Sequence, residues 1–233
     1  MINSLKKDKV VFSIHSDYNG NLKVVDRGYG RELVSDKGVY LSISENHKFL
    51  DKGFFGILAK EISKKRNNLK KALIIGLAGG TIPNILFKKY PGIEIISVEI
   101  DPLMNDIYKY FFSGDKHDRH RIINVDANYL LKNPERFNIF EEQFDFILLD
   151  TFSSISPKEF DSYKNFFKCV KKLLKKNGIM GVNMISQNDE LYEKAQENVR
   201  FISETFNDTD VNIICNIFGN ANVVVLASDK LNL

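Results

Sequence analysis

Four short stretches place residues capable of chemistry directly after apolar runs. They are Gly76 to Gly80 (GLAGG) after ALII, Glu99 and Asp101 after EIISV, Asp126-Ala127 after RIINV, and Asp150-Thr151 after FDFILL. Glycine lets a backbone come close to a ligand, and a helix that follows such a turn offers free N–H groups. An acid roughly 20 residues past a glycine turn accepts the hydroxyls of a ribose, and Glu99 has that spacing. Asp101 precedes Pro102 and reads as the cap of the next helix. Asp126 would accept from the exocyclic amine of an adenine while the Ala127 N–H reads a ring nitrogen; the same acid also fits a cap for the helix ANYLLKN. Asp150 would meet a cationic or amine group, with Thr151, Ser153 and Ser154 behind it and Glu159 and Asp161 farther along the loop. Asp145 opens its run, away from that end, and reads as structural. Thr81 is expected to cap the helix after the glycine turn, with Pro83 in its first turn.

The elements that must hold these residues fall into two regions. From 9 to 45, KVVFSIHS, NLKVVDRG, RELVSD and GVYLSISE are separated by turn signals at Asn19-Gly20, Gly28 to Gly30 and Lys37-Gly38, which predicts an antiparallel meander. Apolar residues at helical spacing predict a helix over 49–66. Beyond Leu69, strands and helices alternate. The strands fall at 72–76, 94–100, 121–127, 144–150 and 179–185, and the helices at 82–90, 102–112, 157–176 and 188–206, with Gly178 as the stop of the third. The strands are rich in Ile, Leu and Val with little alternation, as in a parallel sheet covered on both faces. DVNIICNIFG and NANVVVLAS, split at Gly219-Asn220, predict a closing antiparallel hairpin. The expectation is an α/β chain with a small N-terminal β-domain over 1–48 and a nucleotide-binding domain over 49–233.

Composition narrows the partners. A hydrophobic content of 43% supports a real core, and no apolar run is long enough for a membrane span. The first sixteen residues hold no apolar signal core, so a cytoplasmic location is expected. Cys169 and Cys215 have no metal spacing and read as buried thiols, and no metal is expected. A net charge of +3 with lysines in short clusters reads as solvated helix faces rather than a nucleic-acid surface.

Taken together, ALIIGLAGGTIPNILFKKYPGIEIISVEIDPLMNDIYKYFF, RIINVDANYLL and FDFILLDTFSS resemble the spermidine synthase (polyamine aminopropyltransferase) family, most of all its bacterial spermidine-synthase-like members. DYNGNLKVVDRGYGRELVSDKGVYLSI is similar to the β-domain that precedes their catalytic domain, so the resemblance runs from about 16 to 227. It implies a Rossmann-like class I methyltransferase sheet, mostly parallel with an antiparallel last strand. It also implies a donor, decarboxylated S-adenosylmethionine or S-adenosylmethionine, and a small-molecule amine acceptor. Gly76, Ala78, Gly79 and Gly80 would line the thioether side, Glu99 and Ile100 the ribose, and Asp126 and Ala127 the adenine. Asp150 would sit beside the attacking amine as the catalytic residue, and Asp150 and Thr151 would also contact the donor. Such enzymes are commonly dimers or tetramers, which implies a homo-oligomer.

The sequence departs from that pattern on the polyamine side. The family's G-G-G-D-G-G is here G-L-A-G-G, shorter and without the acid; in D-S-S-D-P the second acid's place is taken by Ser153. The glutamine after the β-domain's D-G-V is replaced by Tyr40 or Leu41, and HKFLDKGFF holds no Tyr-His-Glu. A polyamine carries about one charge per nitrogen near neutrality, and burying such charges without carboxylates costs several kcal/mol each. The resemblance implies aminopropyl transfer to a polyamine-type amine as the leading expectation; the missing acids favour methyl transfer, the runner-up, or an altered acceptor. A binding protein that has lost catalysis, and a dinucleotide-dependent dehydrogenase, are the remaining alternatives.

Overall fold

The polar–apolar alternation of the first region produces four short strands: β1 (Lys9–Ser16), β2 (Gly20–Arg27), β3 (Gly30–Ser35) and β4 (Tyr40–Ile43). Successive side chains point to opposite faces, so Leu22, Val24 and Leu33 are fully buried while Lys23 points to solvent. The strands pair antiparallel in chain order. The computed structural model describes residues 8–36, 40–114, 117–151, 163–186, 188–215 and 221–230. The turn at Lys37-Gly38 and the loop residues Ser153, Ser154, Glu159 and Asp161 lie outside them.

The apolar runs of the second region form β5 (Lys71–Ile75), β6 (Glu94–Glu99), β7 (His120–Asn124), β8 (Phe144–Leu149) and β9 (Leu174–Ile185), followed by β10 (Asp208–Cys215) and β11 (Ala221–Ser228). Their order across one seven-stranded sheet is β10-β11-β9-β8-β5-β6-β7. The strands from β5 to β9 pair in parallel. β11 runs antiparallel between β9 and β10. The chain goes outward from β5 through β6 to β7, then returns to β8 on the other side of β5. That reversal opens a crevice at the C-terminal ends of β5 and β8, where open α/β sheets bind ligands.

Helices α1 (Phe54–Lys65), α2 (Thr81–Lys89), α3 (Pro102–Phe111), α4 (Ala127–Lys132), α5 (Tyr163–Leu173) and α6 (Asp189–Thr205) cover the sheet. One face packs Leu73, Ile75, Val98 and Ile147 against α4, α5 and α6. The other packs Ala72, Ile74 and Leu148 against α1 and α2. A third core joins Leu22, Val24 and Leu33 of the small sheet to Leu77 and to Met104, Ile107 and Tyr108 of α3.

Several boundaries differ from the sequence expectation. The third strand stops at Asn124, because the Asp126 side chain accepts from the Asn128 and Tyr129 N–H groups and turns the chain into α4. α1 begins at Phe54, after turns in which Leu50 N–H bonds the His47 carbonyl and Gly53 N–H the Phe49 carbonyl. α5 ends at Leu173 and the next strand starts at once. The register there advances from Leu174 to Ile179 while β8 advances only from Phe144 to Phe146, so the intervening residues bulge out. Asn177 takes the left-handed conformation expected of Gly178, at φ 61°. Thr81 does not cap α2. Gly80, at φ 74°, is the N-cap residue, and the Thr81 hydroxyl is engaged elsewhere. The closing hairpin is antiparallel as expected; its turn at Gly219-Asn220 lies outside the described residues.

Candidate functional site

Three strand ends and the glycine turn meet at the crevice. Gly76 N–H bonds the Val98 carbonyl (2.9 Å) and Asp150 N–H bonds the Ile75 carbonyl (2.8 Å), which ties the ends of β5, β6 and β8 together. Gly76 has φ 99°, and a Cβ there would overlap the Asp150 carbonyl oxygen. Only glycine allows that approach. Asn124 Nδ2 (3.0 Å) and Val125 N (3.1 Å) donate to the Glu99 carbonyl and bring in the end of β7.

Glu99 is buried and reaches straight into the turn. Its Oε2 accepts from Leu77 N (2.9 Å) and Ala78 N (3.1 Å), and its Oε1 accepts from Asp101 N (3.0 Å). Ala78 is held at φ 46°, a left-handed conformation that the two bonds around it stabilise. A carboxylate offers about four acceptor positions. With three filled, Glu99 has room for one ligand hydroxyl in this arrangement rather than the two expected. The other turn donors are also engaged: Gly79 N donates to Ser42 Oγ (2.8 Å) and Gly80 N to the Leu77 carbonyl (2.8 Å).

Ser42 belongs to β4, so the small sheet completes the turn. Beside it, Ile43 and Thr81 exchange two bonds. Ile43 N donates to Thr81 Oγ1 and Thr81 Oγ1 donates to the Ile43 carbonyl, both at 2.9 Å. At the mouth of α3, Asp101 accepts from Leu103 N as its cap, and also from Ser16 Oγ (2.5 Å) and Asn19 Nδ2 (2.7 Å). Sequence reading missed Ser16, Asn19 and Ser42. Their signal was faint: single polar residues at strand ends, ordinary in a meander.

Asp150 ends β8. Burial pushes its carboxyl up to about 6, and the hydrogen bond from Asn183 acts in the opposite sense. Asn183 Nδ2 donates to Asp150 Oδ1 (2.7 Å), and Asn222 Nδ2 donates to Asn183 Oδ1 (2.7 Å). The sequence did carry a signal for this pair: each asparagine interrupts an otherwise apolar strand, in GVNMI and NANVVV. Asp126 is spent in part on capping α4, through bonds from Asn128 N (2.7 Å) and Tyr129 N (3.1 Å) to Oδ1. Ala127 packs at the edge of the core, Thr151 is half-buried beside Asp150, and Ile100 is exposed at 40%. Thus Glu99 clamps the turn of Gly76 to Gly80, Asp150 is tied to the end of β5 by its backbone while its carboxyl bonds Asn183, and Asp126 stands apart after the third strand. Among the described residues no group of three His, Cys, Asp or Glu side chains could hold a metal ion.

Beneath the turn lies a second polar chain that the sequence did not reveal. Ser97 Oγ is 2.8 Å from His120 Nε2, and His120 Nδ1 is 3.2 Å from Tyr108 Oη. Tyr108 donates to Asn84 Oδ1 (3.0 Å), and Asn84 Nδ2 donates to the Phe112 carbonyl (2.8 Å). Tyr108 gives its proton to Asn84, so it accepts from His120 Nδ1–H, and Ser97 donates to Nε2. The imidazole is neutral. Burial, with a smaller push from His117, lowers it to about 4. The Tyr108 ring fills the space that a Cβ at Gly80 would need.

The profile described as "Spermine/spermidine synthase domain" matches residues 57–223. Among curated relatives, the chain is 31% identical over 137 residues to the polyamine aminopropyltransferase of Vibrio vulnificus (strain CMCP6), covering 59% of this chain and 44% of that protein. It is 29% identical over 184 residues to putrescine N-methyltransferase 2 of Nicotiana attenuata, covering 76% of this chain and 46% of that one. The matched stretch is thus about half the length of those relatives or less, and both are transferases. A probable spermidine synthase from Corynebacterium glutamicum ATCC 13032 shares the fold with a TM-score of 0.74 at 17% identity, covering 97% of this chain and 82% of that one. Human methyltransferase-like protein 13, solved with SAH, does so with a TM-score of 0.62 at 20% identity, covering 76% and 82%. The profile match takes in the glycine turn, all three strand-end acids and both strand asparagines, and this chain belongs to the spermine/spermidine synthase family.

Proposed function

We propose that this chain is an S-adenosyl-dependent transferase that moves an aminopropyl group from decarboxylated S-adenosylmethionine to a small-molecule amine. The observation that carries this reading is the pairing of a saturated glycine turn with a proton-hungry Asp150. Leu77, Ala78, Gly79 and Gly80 have all given their N–H groups to protein acceptors. A carboxylate at the turn would meet Glu99 and find no free donor there, whereas a donor lacking a carboxylate avoids that cost. Glu99 keeps one acceptor position for the ribose, and Asp126 and Ala127 stand at the third strand end for the adenine.

The amine nitrogen attacks the carbon next to the sulfonium, in line with the C–S bond. The C–N bond forms, the C–S bond breaks, and its electron pair neutralises the sulfur, leaving a thioether. The attacking nitrogen sheds a proton, and Asp150, with its proton affinity raised by burial, accepts it. No covalent enzyme intermediate is required, and catalysis is positioning plus electrostatics.

Methyl transfer is the second reading, and one observation favours it: G-L-A-G-G places no acid in the turn to pair the ammonium of an aminopropyl group. Calorimetric titration with each donor separates the two. The decarboxylated donor is expected to bind at least about tenfold tighter, or about 1.4 kcal/mol. Tighter binding of the carboxylated donor overturns the aminopropyl assignment, and binding of neither overturns the S-adenosyl site.

A further inference from the structure

We propose that Asn222, acting through Asn183, is a positioning residue that keeps the Asn183 amide turned with its N–H toward Asp150, and so holds that carboxyl ready to take a proton. The proposal rests on the reading of Asp150 given above. It starts from three side chains on neighbouring parts of the sheet: Asp150 directly after β8, Asn183 on β9 and Asn222 on β11. Val224 lies opposite Asn183 and Asn222 opposite Ile185, so Asn222 is the diagonal neighbour of Asn183, within side-chain reach. The two bonds, Asn222 Nδ2 to Asn183 Oδ1 and Asn183 Nδ2 to Asp150 Oδ1, are both 2.7 Å.

An amide has a donor end and an acceptor end, and an ionised carboxylate only accepts. Ionised Asp150 therefore selects the NH2 end of Asn183, and the oxygen at the other end needs a donor. Asn222 supplies it. If Asn183 flipped, two NH2 groups would face each other and its oxygen would face the carboxylate. Protonated Asp150 would favour that flip, because its O–H seeks an acceptor. Asn222 opposes the flip and so opposes premature protonation.

The surroundings leave this chain in charge. β5 and β9 flank β8 and bring Ile75, Gly76, Val182, Asn183 and Met184 to that end, none of which titrates. Among the described residues, Glu99 lies two strands away at the end of β6 with its oxygens held by backbone N–H groups, and Asp189 and Glu190 stand in the first turn of α6, which follows β9. Glu159 and Asp161 lie outside the described residues. Burial acts on the Asp150 carboxyl first and Asn183 second, in opposite directions.

The test is a carboxyl 13C NMR titration of the full chain, labelled at aspartate and free of donor, with the Asp150 signal assigned from Asp150→Asn. Asn222→Leu and Asn183→Leu should each raise the Asp150 midpoint by about one pH unit. In the Asn183→Leu background, Asn222→Leu should add nothing, because the link it acts through is gone. Asn222→Ser, which keeps a donor, should restore most of the wild-type midpoint. If Asn222→Leu fails to fold, Asn222→Ala against Asn222→Ser makes the same comparison of donor lost with donor kept. An unchanged midpoint in the Asn222 variants, or an equal shift with and without Asn183, overturns the proposal. The titration needs no donor and no turnover, so failure of the transferase reading would appear separately, in the binding experiment.

Discussion

At the scale of single residues, the site is defined by what its polar atoms already hold. Glu99 is both a candidate ribose acceptor and the clamp of the glycine turn, through Leu77 N and Ala78 N. The expectation from spacing concerned only the first role. Asp150 is the group whose chemistry depends most on its surroundings. Its carboxyl sits at about 6, against an ordinary value of 3.8, chiefly because it is buried. Activity that needs the ionised form should therefore fall on the acid side with a midpoint near 6, and a pH–rate profile checks this. Asp150→Asn should lose about 10²- to 10⁴-fold in turnover. It should at the same time leave the fold as stable or more stable at pH 7, because the wild-type charge is disfavoured by burial. A variant that lost turnover and stability together would contradict this account of Asp150.

At the scale of elements, α2 and β4 depend on one another. Thr81 is the first residue of α2, yet its hydroxyl serves the backbone of Ile43. Thr81→Val keeps the shape and leaves a buried N–H and C=O of Ile43 without those partners. The expected loss is about 1–3 kcal/mol, or roughly 2–4 °C in Tm per kcal/mol for a chain of this size. A thermal melt measures the loss, and donor affinity should weaken with it, because Ser42, next to Ile43, closes the turn at Gly79. The sequence showed Thr81 and Pro83 as helix-start residues, and the start is where they lie. It could not show that the hydroxyl faces another sheet, because that contact spans 38 positions along the chain. The same limit applies to α5, whose end at Leu173 is set by pairing with β8 rather than by the glycine after it.

At the scale of the whole molecule, the small sheet shares a core with α3 and the glycine turn through Leu22, Val24, Leu33, Leu77 and Tyr108. Tyr108 also joins the polar chain from Ser97 through His120 to Asn84. This chain gives the fold a definite pH response. The His120 imidazole is lowered from 6.5 to about 4 in the folded protein. Its contribution to stability is therefore present above pH 6.5 and is lost as the pH falls through about 4. Asp150 has the opposite sign. Its raised carboxyl contributes most below about pH 3.8 and loses that contribution as the pH rises through about 6. Denaturant unfolding across this range should show His120→Gln with a shallower acid loss than the wild type and Asp150→Asn with a steeper one. Parallel curves for all three proteins would rule out this assignment.

The sequence by itself determined the alternation of strands and helices, the fold class, and the places where Gly76, Glu99, Asp126 and Asp150 fall in the chain, because strand ends and glycine turns are local signals written in consecutive residues. Only the tertiary structure decided what those residues hold. Glu99 reaches a turn 21 and 22 positions away, Gly79 takes its partner from a strand 37 positions earlier, and Asp150 takes its partner from one 33 positions later. Hydrogen bonds over such separations follow from strand order and register, which fix distances that no local pattern of residue types encodes.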